Sequence, residues 1–357
     1  MRIDQLRQYM ARANADGALI SNELSASYLS GFDFSDGYLV ILADRAFLVT
    51  DFRYTEAAEI GADKAFEVVE AKGSVLEAAI DLLIEGGAKR VAFEEQAVTV
   101  SLFEKIKTLL DGKGELLGSV SDWLVQMRRV KSEEELGYIE EAQKITDAAF
   151  SHILSVLSPQ MTEQDVALDL EFFMRKMGAE GMAFDVIAVS GSASSLPHGV
   201  PRNTRLEKGF LTLDYGAKVH GYCSDMTRTV VLGRADAEMK RLYETVLEAQ
   251  SEALAYLSEG VSCKDADGVA RAIINGAGYR GCFGHSLGHG VGRYIHEEPR
   301  LSSSAKEDLL VCGNVVTVEP GIYISGKYGC RIEDMVAITH KGIYNFTKSK
   351  KELIELF

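Results

Sequence analysis

Four acidic residues on apolar, strand-like segments are the strongest chemical signal in this chain. Residues 210–229, FLTLDYGAKVHGYCSDMTRT, read as two strands joined by a tight reversal at 217–221. Side chains alternate faces along a strand. Thr212 and Asp214 therefore share one face of the first arm, opposite Leu211, Leu213 and Tyr215. On the return arm Asp225, Thr227 and Thr229 share a face, so pairing the arms can set Asp214 beside Asp225. A strand apolar enough to be buried pays a penalty for an unpaired carboxylate. Two facing carboxylates need a shared proton, basic partners or a metal. On this hairpin alone, two exposed surface acids are an equal reading.

A second acidic strand pair bears on that choice. Residues 315–319 are β-branched and apolar except for Thr317 and Glu319, which share a face. Pro320-Gly321 bends the chain, 322–324 continues it, and 330–338 returns as a strand with Arg331 and Glu333 on one face. Between the two acidic units lies GHSLGHGVGRYIHEEP at 284–299, whose glycines permit close backbone approach. Four neighbouring carboxylates repel by roughly several kcal/mol unless cations intervene. Two divalent ions roughly 3.5–4 Å apart answer that repulsion. One histidine completes an oxygen-dominated shell suited to Mn²⁺, Co²⁺, Fe²⁺ or Zn²⁺. Bridging ions lower the pKa of a shared water, which makes metal-assisted hydrolysis the natural reaction class.

Other motifs carry less. The histidine loop does not match GxGxxG and no βαβ unit surrounds it, which removes dinucleotide binding. Asp265-Ala266-Asp267-Gly268 begins like a calcium loop but lacks its later ligands and terminal glutamate. His198, within Pro197-His198-Gly199, is by itself an ordinary loop histidine. Asp51 sits where a strand meets a helix and reads as a helix cap. Cys223 shares a strand face with Asp225, so a sulfur ligand is conceivable, but a small core filler explains it better.

The elements that position these residues follow from periodicity. Ile3, Leu6 and Met10 have helical spacing, and Gly17 ends that run. Strands at 18–20, 38–42, 47–50, 66–69 and 91–93 alternate with helices at 53–60, 75–85 and 102–110. This alternation predicts an α/β domain with a mixed or parallel sheet. Near 123–131 the pattern changes. Ser132 with Glu133, Glu134 and Glu135 opens a long amphipathic helix to about 156. The domains are set at 1–127 and 128–357. A second helix follows Thr162, 184–190 reads as a strand and the chain from Gly191 as loop. Further helices run from about 235 to 257 and from 263 to 277.

Bulk properties bound the function. The chain has 357 residues, 46% of them hydrophobic, which is ample for a packed core. Its formal net charge of −15, with no basic run, disfavours nucleic acid or an anionic membrane as partner. No apolar run reaches membrane-spanning length and MRIDQLRQYM is not a signal peptide. Five cysteines without a CxxC pair argue against a disulfide framework or structural zinc and make a reducing cytoplasm the expected location.

Four segments together carry a family resemblance: LDYGAKVHGYCSDMTRT, GHSLGHGVGRYIHEEP, VEPGIYI with GCRIED, and SLPHG at 195–199. They resemble the pita-bread metallopeptidases, in particular Xaa-Pro dipeptidase (prolidase) and aminopeptidase P. RRVKSEEELGYIEEA resembles the start of that fold, and TDFRYTEAA at 50–58 resembles the family's amino-terminal domain more loosely. The resemblance implies an α/β N-terminal (creatinase-like) domain followed by an α+β pita-bread catalytic domain with a curved, mainly antiparallel sheet. It implies two divalent ions, Mn²⁺ first with Co²⁺ or Zn²⁺ as alternatives. Asp214, Asp225, His289, Glu319 and Glu333 are the implied metal ligands, with Asp225 and Glu333 shared between the ions. His198 and His296 match substrate-side histidines that position the peptide and stabilise the tetrahedral intermediate. Glu319 also handles the water proton, and Arg331 orients Glu333 and counts among the expected substrate-binding residues. The implied substrates are small peptides with proline in second position, and the implied assembly is a homodimer.

Three positions depart from the family pattern: Cys330, Ser325 and Arg293. A dipeptide carries a free carboxylate near the reaction centre, which a cation can pair. Arg293 or Arg300 is therefore a candidate dipeptide selector, against the plainer reading that Arg293 pairs with Asp33 or Asp36. The leading expectation is hydrolysis of the bond preceding proline by a dipeptidase, with an aminopeptidase P acting on longer Xaa-Pro-Yaa peptides as the alternative. A methionine aminopeptidase ordinarily lacks the large first domain, and a creatinase-like enzyme or a silent binding module lacks a reason to keep every ligand.

Overall fold

The computed structural model describes residues 2–118, 120–305 and 308–357. The chain divides into two compact units, Met1–Arg128 and Arg129–Phe357. The first runs α1 (Arg2–Arg12), β1 (Gly17–Ile20), α2 (Glu23–Ser30), β2 (Gly37–Leu42), β3 (Ala46–Thr50), α3 (Thr55–Gly61), β4 (Glu67–Glu70), α4 (Val75–Glu85), β5 (Arg90–Phe93), α5 (Val100–Leu110), β6 (Glu115–Leu117) and α6 (Val120–Arg129), the last crossing the division by one residue. Its six strands form one mixed sheet in the order β4-β3-β2-β1-β5-β6. β1 pairs antiparallel with β2 and parallel with β5. The sheet is covered on both faces. Leu39, Ile41 and Leu48 pack with Ile3, Leu6 and Met10 of α1, while Val40, Phe47 and Val49 pack with Ile80 and Leu83 of α4. Asp51 does not cap α3. Its carboxylate takes the Arg53 amide at 2.9 Å and the Arg53 guanidinium instead, so the helix begins two residues later than its pattern suggests.

The second unit opens with α7 (Glu133–Val156) and α8 (Glu163–Lys176). Both start on complete capping boxes, Ser132 with Glu135 and Thr162 with Asp165. Then come β7 (Gly181–Met182), β8 (Ile187–Ser190), a 3-10 turn at Gly191–Ser195 where the sequence reads as loop, β9 (Gly209–Tyr215), β10 (Ala217–Val219), β11 (Tyr222–Cys223) and β12 (Met226–Leu232). After α9 (Ala237–Tyr256) and α10 (Cys263–Gly276) follow β13 (Gly288–Gly290), β14 (Glu297–Leu301), β15 (Val315–Val318), β16 (Gly321–Ile324), β17 (Tyr328–Arg331), β18 (Asp334–Thr339), β19 (Gly342–Asn345) and β20 (Glu355–Leu356). The main ladders are β20-β12-β9-β8 and β14-β13-β15-β18-β19, with smaller ones β11-β10-β7 and β16-β17. Among the described residues of this unit only the β12–β20 pairing is parallel. α7 and α8 cover the first ladder through Ile153, Val166 and Leu170 against Leu211, Leu213 and Val230. α9 and α10 cover the second through Val246, Ala270 and Ile274 against Val316, Val318 and Val336. Each fully buried Leu, Ile or Val contributes about 1.5–3 kcal/mol.

Both acidic strand pairs differ in detail from simple hairpins. In the first, Asp214 faces Thr227 across the β9–β12 ladder, and Asp225 lies two residues further back. The acids are thus diagonal neighbours rather than side by side. The reversal is a nested β10–β11 hairpin turning at His220 and Gly221, both with positive φ (48° and 74°). Such a two-residue turn matches the strand twist. In the second pair, 330–338 is not one strand. β17 pairs with β16 and β18 with β15, and the chain breaks between them at Ile332 and Glu333. Among the described residues no helix is long and apolar enough to cross a membrane.

Candidate active site

A cavity of about 460 Å³ opens in the second unit, and Asp214, Asp225, His289, Glu319 and Glu333 all line it. Asp214 comes from the end of β9 and Asp225 from the residue before β12; His289 is in β13, Glu319 follows β15 and Glu333 precedes β18. Ligand atoms of Asp225, His289 and Glu333 lie within 4.8 Å of one another. His289 Nε2 is 3.6 Å from Asp225 Oδ2 and 3.3 Å from Glu319 Oε1. His289 Nδ1 lies 3.0 Å from the Gly290 carbonyl, which only a protonated Nδ1 can satisfy. That fixes the tautomer and leaves the Nε2 lone pair facing the acids.

Burial and mutual repulsion among the acids dominate the electrostatics of this cluster. Burial, then Glu333, Asp214 and Glu319, pushes the Asp225 carboxyl well above its ordinary range. Burial and neighbouring acids do the same to Glu333. Burial raises Glu319 to about 8, against the pull of Arg331. Burial also lowers His289 to about 3, so its ring is neutral. Asp214 Oδ2 accepts from Arg331 Nη2 at 2.6 Å, while Oδ1 is buried without a hydrogen-bond partner. Convergent oxygens, an orphaned Oδ1 and an imidazole lone pair directed at them fit a divalent-ion site. The cationic alternative is inadequate. Among the described residues the guanidinium hydrogen-bonded to these acids is that of Arg331, and it reaches Asp214 rather than the Asp225–Glu333 pair.

Arg331 has more contacts than a partner of Glu333 alone would. Its Nε donates to Thr227 Oγ1 at 2.9 Å, and Thr227 Oγ1 donates to Glu333 Oε2 at 2.7 Å. Its Nη1 donates to Tyr323 Oη at 2.6 Å and to the Pro197 carbonyl at 3.2 Å. It therefore binds the first acidic unit directly and meets Glu333 through Thr227. Thr317 Oγ1 donates to Glu319 Oε1 at 3.2 Å.

His198, His296 and Arg300 line the same cavity with exposed side chains. The His296 ring stands edge-on to His289 with centroids 4.4 Å apart, and burial followed by Arg300 lowers its pKa. Arg293 is not brought there. Its guanidinium lies over the Tyr222 ring at 5.4 Å, outside the cavity lining. Cys223 packs with Ile139, Val291, Val315 and Met335, and its thiol, pushed up to about 12 by burial, donates to the Arg293 carbonyl. It is a core residue.

Three contributors were not singled out from sequence. His285 lines the cavity, hydrogen-bonded to Tyr323 Oη at 3.1 Å, and burial lowers it to about 4. Thr227 was visible only as a face-mate of Asp225, and nothing local says which way His285 points. Asp267, from the rejected calcium-loop pattern, is fully buried and supports the histidine loop. Its Oδ1 accepts the Leu287 amide at 3.1 Å, and its partner Arg271 donates to the Phe283 and His285 carbonyls.

Residues 137–340 match the model of metallopeptidase family M24, and residues 2–130 match the creatinase/prolidase N-terminal domain. The chain is 42% identical to a Bacillus subtilis protein named uncharacterized peptidase YqhT, over the full length of both. Among solved structures, an Xaa-Pro dipeptidase from Bacillus anthracis is 41% identical with a TM-score of 0.96, covering 99% of each chain. An X-Pro aminopeptidase from Thermotoga maritima is 38% identical with a TM-score of 0.91, covering 98% of this chain and 100% of its own.

Proposed function

The chain belongs to metallopeptidase family M24, and from that premise we propose that it hydrolyses the peptide bond preceding proline, acting on Xaa-Pro dipeptides. The observation that carries this reading is the convergence of Asp225, His289 and Glu333 within 4.8 Å on a cavity also lined by Asp214 and Glu319. These five residues would hold two divalent ions, Mn²⁺ foremost. When bound, such ions act as Lewis acids and make water a competent nucleophile near neutral pH. Glu319, steadied by Thr317, accepts the proton of the attacking water and returns it to the proline nitrogen as the C–N bond breaks. His198 and His296, exposed on the cavity wall, donate to the scissile carbonyl oxygen as charge develops there. An Xaa-Pro bond has no N–H, so the site needs no acceptor for one. Arg300 supplies the cation for a dipeptide's terminal carboxylate; it replaces Arg293 in that role because it alone of the two lines the cavity. The free thiols Cys223, Cys263, Cys282, Cys312 and Cys330 support a cytoplasmic location.

One assay tests the reading: release of the first residue from Xaa-Pro and from Xaa-Pro-Yaa, each with Mn²⁺, Co²⁺ or Zn²⁺, beside a count of bound metal. Metal-dependent cleavage favouring Xaa-Pro is expected. Preference for the longer peptide would make the chain an aminopeptidase P. No bound metal and no gain with Mn²⁺ would make it a binding module.

A further inference from the structure

One buried charge pair of the second unit has no part in the chemistry above. Lys131 stands just before α7, and its Nζ is 3.0 Å from Glu297 Oε2, with side chains only 1% and 5% exposed. Glu297 directly follows His296 and begins β14. Its other oxygen, Oε1, accepts the Tyr294 amide at 3.2 Å. A Cβ on Gly292 would lie 2.4 Å from Glu297 Oε2, so the chain passes close over this carboxylate and a side chain there would displace it. Gly292 in turn donates to the Tyr294 carbonyl at 3.0 Å and accepts from the Cys223 amide at 2.8 Å. The Lys131 amide is tied to the Gly313 carbonyl at 2.9 Å. The carboxylate thus closes the loop at 292–297, and the lysine holds the carboxylate inside. That loop carries Ile295 and His296 into the cavity wall. His296 is itself exposed and stands at the end of the loop, so its place depends on the loop's closure.

We propose that the buried Lys131–Glu297 ion pair is a positioning device that sets His296 over the substrate. The inference rests on the reading of His296 as a substrate-side group. Without Lys131 the Glu297 carboxylate would lose a buried cationic partner, a loss relieved by movement toward water. That movement releases the loop at the residue next to His296.

The test is steady-state kinetics on an Xaa-Pro dipeptide with Mn²⁺-loaded enzyme, together with a count of bound metal. Lys131→Met is expected to lower kcat/KM at least tenfold with metal content unchanged. In a His296→Ala background the same substitution is expected to cost less than threefold, since the group it positions is gone. Glu297→Gln should show the same non-additivity, and it decides the matter if Lys131→Met does not fold. Equal losses in both backgrounds, wild-type kcat/KM in the folded variants, or loss of metal in step with activity would each overturn the proposal. A His296→Ala enzyme of undiminished activity would overturn the role of His296 as well.

Discussion

The metal-free protein should lose stability as pH rises from 6.5 to 8, opposite to what ordinary carboxylates would give. The perturbation is removal of bound ions with a chelator. In the metal-free fold, burial holds Glu319 protonated up to about 8, whereas an ordinary glutamate of pKa 4.5 has already ionised in the unfolded chain. The folded state therefore binds a proton that the unfolded state has released, and stability falls as pH climbs through this window. At about 1.4 kcal/mol per pH unit, Glu319 alone accounts for about 1.5–2 kcal/mol between pH 6.5 and 8. Asp225 and Glu333, both raised, act in the same direction. His289 and His285, lowered by burial to about 3 and about 4 from 6.5, oppose this slope: they add stability as pH rises through 6.5, about 0.4 kcal/mol each between pH 6.5 and 8. The buried thiols titrate in the unfolded chain only near 9.0, above the window. The assay is denaturant unfolding at pH 6.5 and pH 8, with and without saturating Mn²⁺. It should be followed by far-ultraviolet circular dichroism, because the single tryptophan, Trp123, lies in the first unit. Bound ions replace the protons, so the slope should vanish with metal. Metal-free protein that is equally or more stable at pH 8, or an unchanged slope with Mn²⁺, would refute the reasoning.

Further outcomes follow from the same geometry. Asp225→Asn should abolish both metal occupancy and activity; full activity with two ions still bound would show that this acid has been misassigned. Arg300→Leu should raise KM for an Xaa-Pro dipeptide about 10–100-fold, the worth of a charged hydrogen bond, with less effect on a tripeptide, while Arg293→Leu should leave both near wild type. An equal effect of Arg300→Leu on both substrates would remove the carboxylate role. Asp267→Ala leaves the Leu287 amide without its carboxylate acceptor and takes the paired charge from Arg271, so it should cost about 2–3 kcal/mol of stability and loosen metal binding through the 285–289 loop. A loss too small to resolve by denaturant unfolding would show that the loop does not depend on it.

Local patterning along the chain is enough to read most of the elements and the acidic character of the site. Strong caps placed α7 and α8, because Ser132 and Thr162 with acids three residues later satisfy local amide donors. Period-two alternation put Asp214 and Glu319 on faces that carry few apolar neighbours, and neutralising four such acids called for cations. These are local or additive arguments, so they survive without a fold. Tertiary structure decided what depends on contacts far apart along the chain. The register of β9 with β12 makes Asp214 oppose Thr227 rather than Asp225, because Gly216 is pressed against Ser224 and a nested hairpin takes up the intervening residues. The break between β17 and β18 lets Arg331 reach back across 117 positions to Asp214 while Glu333 turns to Thr227. Arg293 and Arg300 are alike in sequence, separated by one loop, and only the closure of that loop sends one over Tyr222 and the other to the cavity. A side chain's direction is set by what packs against it, and for these residues the packing partners lie in other strands.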